Sequence, residues 1–161
     1  MTREDAISEV SQVPKRHGSA RLIVCERTGR WAVALRRELA ATAIPVHEAR
    51  SIAECRDMLP RYPASFLVAE LTPNSIDPLL ARVAILEQDF PLARFAVVAE
   101  RELSAYQWVM RQAGAIHFVV STRDLAPLAR GICRHLQRGP APEPSPAERI
   151  WAELPWGRGE V

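Results

Sequence analysis

The chain has 161 residues, of which 48% are hydrophobic and 25% charged, values of one globular domain with tails rather than of a disordered chain. Lys and Arg total 21 against 19 Asp and Glu, a formal net charge of +2, so charge alone gives no case for binding nucleic acid or a membrane. No apolar run approaches the roughly 20 residues of a membrane span, and the opening MTREDAISEV carries acids and no apolar h-region, so it does not read as a secretory signal.

Residues 1–20 are polar with a weak helical stripe and read as a flexible arm. Arg21–Cys25 (RLIVC) is a short apolar run, predicted to be a buried strand. Arg30–Ala41 places Trp31, Leu35 and Leu39 on one helical face. Ile44–Glu48 reads as a second strand, and Ser51–Leu59 as a helix opened by the capping box Ser51 and Glu54 and closed by Pro60 and Pro63. Ser65–Leu71 (SFLVAEL) is a third strand. Asp77–Pro78 supplies an N-cap and a first-position proline for a helix reaching Glu87. Arg94–Ala99 is a fourth strand. Leu103–Ala113 is a helix, with Gly114 placed to take a left-handed conformation just past its end. Ile116–Val120 is a fifth strand, and a clean apolar stripe over Leu125, Leu128, Ala129, Ile132 and Leu136 makes the last helix of the body.

Strands without polar interruptions, alternating with helices, predict an α/β fold with a parallel sheet buried on both faces. The commonest arrangement at this size is flavodoxin-like, a five-stranded sheet in the order 2-1-3-4-5 with helices on both faces. Ligands in such sheets bind beyond the carboxyl ends of the strands. No GxGxxG or GxxxxGK[ST] follows the first strand, which argues against nucleotide cofactors. No GxSxG elbow appears. Cys25, Cys55 and Cys133 form an odd set without CxxC and read as free thiols of a cytoplasmic protein. His17, His47, His117 and His135 are scattered, so no metal site is expected. The polar residues at strand ends are Glu26, Glu70, Glu100, Ser121 and Thr122. They are read as solvated loop residues before they are read as cation ligands.

Three stretches, LIVCERT, VHEARSIAEC and RQAGAIHFVVSTRDLAPLARGI, in this order and spacing, resemble the receiver domain of bacterial response regulators, over about residues 21–138. That resemblance implies a phosphoacceptor pocket and lets its positions be placed. The family's two magnesium-binding acids fall on Cys25 and Glu26, its phosphoacceptor aspartate on Glu70, its hydroxyl residue on Ala99 and its lysine on Ser121. Of these only Glu26 keeps the expected residue type. Phosphoryl transfer depends on positioning and charge neutralisation, so the losses imply a degenerate receiver, a pseudo-receiver that is not phosphorylated. Glu70 is read as drift after that loss rather than as an imitation of the phosphorylated state, and Arg27 and Arg123 are candidates to pair with it. Phe118 falls where receivers carry a switch aromatic and is read as packing.

Residues 139–146 (GPAPEPSP) form a Pro-rich linker, and residues 147–161 a tail motif with a short helix. Ile150, Trp151, Leu154 and Trp156 are its apolar anchors, for the chain's own body, a second copy or another protein. The expected function is non-enzymatic: bacterial two-component signalling or scaffolding through protein–protein contacts, with no cofactor, no nucleic acid and no membrane. The partner is another signalling protein or a second copy. The contact face is the fourth helix, fifth strand and fifth helix, with Tyr106, Trp108, Arg111, Phe118 and Arg134 as its candidates. Two alternatives stand beside it: a phosphorelay receiver whose altered acidic site still binds magnesium, and a small flavodoxin-like enzyme or ligand binder.

Overall fold

The computed structural model describes residues 20–138. The expected arm, the Pro-rich linker and the tail helix with Ile150, Trp151, Leu154 and Trp156 lie outside the described residues. Five strands, β1 (Leu22–Cys25), β2 (Val46–Ala49), β3 (Phe66–Leu71), β4 (Arg94–Ala99) and β5 (His117–Val119), alternate with α1 (Arg30–Glu38), α2 (Ile52–Met58), α3 (Ile76–Asp89), α4 (Gln107–Gln112) and α5 (Ala126–Arg138). All neighbouring strands pair in parallel, in the order β2-β1-β3-β4-β5. The expected flavodoxin-like sheet is therefore what forms.

The apolar strands split their side chains between two cores because successive residues face opposite sides of a sheet. Leu22, Val24, Phe66, Val68, Ala96 and Val98 pack with Trp31 and Leu35 of α1 and Leu128 and Ile132 of α5. Ile23, Cys25, Leu67, Ala69, Val97 and Ala99 pack with Cys55 of α2, Leu79 and Val83 of α3 and Met110 of α4. Hence α1 and α5 cover one face and α2, α3 and α4 the other.

Several boundaries move for local reasons. β2 begins after Pro45, not at Ile44, because proline has no N–H to give the ladder. α1 ends at Glu38, not Ala41, where Thr42 turns its backbone N–H and hydroxyl onto the Leu39 carbonyl. α3 is capped at Ser75 rather than Asp77, and Leu79 N–H makes a helical bond to the Ser75 carbonyl. Pro78 is then the third helical residue, still in the turn whose N–H groups have no intrahelical partner. The helix expected over Leu103–Ala113 divides into a 3-10 segment at Arg101–Tyr106 and the short α4. Gly114 follows α4 with φ of 110°, and a Cβ there would meet a Glu87 carboxylate oxygen at 2.9 Å.

His135 of α5 donates from Nε2 to the Ala64 carbonyl at 2.8 Å and ties that helix to the entry of β3. Burial lowers the pKa of His47, His117 and His135 below the ordinary histidine value. The folded state therefore binds fewer protons than the unfolded chain. The stability this contributes is full above the unfolded histidine value of about 6.5 and is lost as pH falls towards the lower folded values. Urea midpoints should drop between about pH 8 and about pH 5.5, and His135→Gln should narrow that difference. An unchanged pH response in the variant would remove His135 from this account.

Candidate functional site at the carboxyl ends of the strands

The β1–α1 connection begins with Glu26, which is 2% exposed. Its two carboxylate oxygens accept the backbone N–H groups of Trp31 (2.9 Å) and Ala32, two donors of the first turn of α1. The reason is local. Gly29 stands at the N-cap with φ of 82° and has no side chain to offer, so the helix start takes its acceptor from three residues upstream. A carboxylate there also meets the positive end of the helix dipole.

Cys25 points to the opposite face of the sheet, into the core with Cys55. The neighbouring Cys55 thiol lowers the Cys25 pKa, and the same interaction together with burial raises that of Cys55. At the end of β3, Glu70 is half-buried and accepts the Arg27 backbone N–H at 3.2 Å. The expected ion pair to Glu70 from Arg27 or Arg123 is not formed: among the described residues the ion pairs join Arg30 to Glu100, Arg36 to Glu48 and Arg50 to Glu48. Arg27 meets Glu70 through its main chain instead. Ala99 is fully buried at the end of β4, and Ser121 lies beyond β5 with its hydroxyl accepting the Arg123 N–H at 3.1 Å.

These positions gather at one edge of the sheet, as the resemblance requires, but the groups do not converge on a metal. Glu26 is engaged by α1, Cys25 faces its own core, and among the described residues no three His, Cys, Asp or Glu side chains cluster as ligands. The residues present do not fit the magnesium of a receiver. Glu100 and Arg30, which sequence reasoning did not join, form an ion pair from α1 to the end of β4. Since β3 lies between β1 and β4, the pair bridges the edge that carries Glu70. Both partners are about half exposed, with side-chain exposures of 46% and 54%, so the pair contributes at most about 1 kcal/mol. The partners are 70 residues apart, and no sequence signal joins them.

On the expected contact face, Trp108 is 71% exposed, and Arg111 and Arg134 are exposed. Tyr106 is half-buried against the core. Phe118, at 9% exposure, belongs to the core under α4 and supports the face from beneath rather than presenting surface.

No family model and no curated protein matches the chain. Solved structures do. A response regulator from Thermotoga maritima is similar at 15% identity and a TM-score of 0.59, over 74% of this chain and 99% of that one. A CheY-like protein, TadZ, from Pseudomonas aeruginosa PAO1 is similar at 20% identity and a TM-score of 0.60, over 77% and 98%. An orphan response regulator of H. pylori is similar at 14% identity and a TM-score of 0.58, over 74% and 98%. The described body thus has the fold of response-regulator receiver domains.

Glu26→Ala should cost roughly 2–4 kcal/mol in urea unfolding, because two helix N–H groups lose a charged acceptor inside the fold. Glu26→Gln, which keeps one acceptor oxygen, should cost less. A loss below about 0.5 kcal/mol in the alanine variant would show that α1 does not depend on this cap.

Proposed function

We propose that this chain is a pseudo-receiver: a non-catalytic signalling or scaffolding protein that acts through protein–protein contacts and is not switched by aspartyl phosphorylation. The observation that carries the reading is the engagement of Glu26. The one residue that keeps the type of the receiver's acids has both oxygens bonded to the start of α1. Cys25, Glu70, Ala99 and Ser121 supply no second metal acid, no aspartate, no hydroxyl at the fourth strand and no cation. Charge on a transferring phosphoryl group would go unneutralised, and positioning without neutralisation gives little acceleration.

Incubation with magnesium and acetyl phosphate is expected to leave the intact mass unchanged, and calorimetric titration with magnesium to give no saturable heat. A stoichiometric phosphate adduct on Glu70 would favour the phosphorelay reading instead.

Contacts are then the means of action. The α4–β5–α5 face carries Trp108, an exposed aromatic with Arg111 and Arg134 exposed on the same face, a composition enriched at binding hot spots. It is proposed as the surface for a second copy or another signalling protein, with the tail residues Ile150, Trp151, Leu154 and Trp156 as a further docking element. The full chain should self-associate in sedimentation experiments, and Trp108→Ala should weaken that association by about tenfold. A wild-type chain that stays monomeric throughout would exclude the second copy and leave another protein as the partner.

A further inference from the structure

A second cavity, of about 170 Å³, opens at the amino edge of the sheet, opposite the edge that carries Glu70. Leu67 and Phe95 of the strands, Val83 and Leu86 of α3, and Ile116 just before β5 give it an apolar lining. An apolar cavity of about 150 Å³ holds a benzene ring, so this one has room for a single aromatic side chain. Ile116 is exposed, and so is Leu92, next in the chain to Ala93, which also lines the cavity. Exposed apolar side chains grouped at the mouth of an apolar cavity mark a contact surface.

The end of α5 lies at this same edge. His135, in its last turn, bonds to the Ala64 carbonyl, and the next carbonyl, that of Ser65, accepts the Arg94 N–H at 3.1 Å. Two consecutive carbonyls thus join the last turn of α5 to a residue that lines the cavity. The cavity and α5 are on opposite faces of the sheet. With layers about 10 Å apart, a path around the edge from one helix layer to the other is about 20 Å. Residues 139–146 contain four prolines, and eight residues of that kind reach about 25 Å at about 3.1 Å each. Immediately beyond come Ile150, Trp151 and Leu154, spaced to share one face of a helical turn. A short linker holds its cargo at an effective concentration in the mM range, so a contact with a Kd of about 1 mM is already populated.

We propose that the chain's own tail docks on this edge, with the Trp151 indole in the cavity and Ile150 and Leu154 against Leu92 and Ile116. A buried indole N–H needs an acceptor. The Glu87 carboxylate is at the cavity and makes no ion pair among the described residues, so it takes that role. The proposal rests on the reading of the tail as a docking element and names its seat. Phosphorylation and self-association are read by other experiments, so each claim can fail alone.

The test is NMR on the full chain with labelled methyl groups and labelled tryptophan rings. Nuclear Overhauser contacts are expected from the Trp151 ring to the methyl groups of Val83, Leu86 and Ile116. Ile116→Glu, a change at an exposed position on the rim, should abolish them and move the Trp151 indole signal to its place in the urea-unfolded chain. Ile85→Glu makes the same change at an exposed position of α3 outside the cavity and should leave the contacts in place. The proposal fails if the wild-type Trp151 ring shows no contacts, or contacts to another surface. It fails equally if Ile85→Glu removes them as fully as Ile116→Glu. Contacts that run between copies, in an equal mixture of methyl-labelled and ring-labelled chains, would overturn it in favour of an exchange of tails in a dimer.

Discussion

The carboxylate of Glu26 decides what the carboxyl edge of this sheet can be. An α-helix begins with N–H groups that have no partner inside the helix, and a buried start must find them an acceptor. Here the N-cap is a glycine, and Glu26 supplies both bonds from the end of β1. The bond pair locks the β1–α1 connection against the sheet and seats Trp31, which is wholly buried between α1 and the strands. It also fixes a charge that a metal-binding receiver would need facing the pocket. One constraint therefore holds the helix start and engages both oxygens of the residue that the receiver resemblance assigns to the metal.

The rest of the edge follows. Arg27, next in the chain, presents its backbone N–H to Glu70, while its carbonyl receives Arg50. Arg30, the first residue of α1, reaches Glu100 past the end of β4. The loop is thus held from three sides by β3, the β2–α2 connection and β4. Among the described residues the indole N–H of Trp31 is buried without an acceptor, a cost of about 1–3 kcal/mol that the packing around it offsets. These are structural uses of polar residues, where a phosphorylated receiver would apply them to metal and phosphate.

The sequence by itself determined the sheet, its strand order and the two-sided core. Apolar strands alternating with striped helices admit few other arrangements, and Gly114 marked the end of α4 through the positive φ that only glycine adopts freely. It placed Cys25, Glu26, Glu70, Ala99 and Ser121 at one edge. It could not say what their side chains do, because that depends on partners distant in the chain. Only the tertiary structure turned Glu26 to α1, joined Arg30 to Glu100 and sank Phe118 beneath α4. Pattern along a chain fixes which face a residue takes. Which group answers a buried or crowded charge is settled by three-dimensional neighbours, since electrostatic and hydrogen-bonding energies depend on distance and burial rather than on order.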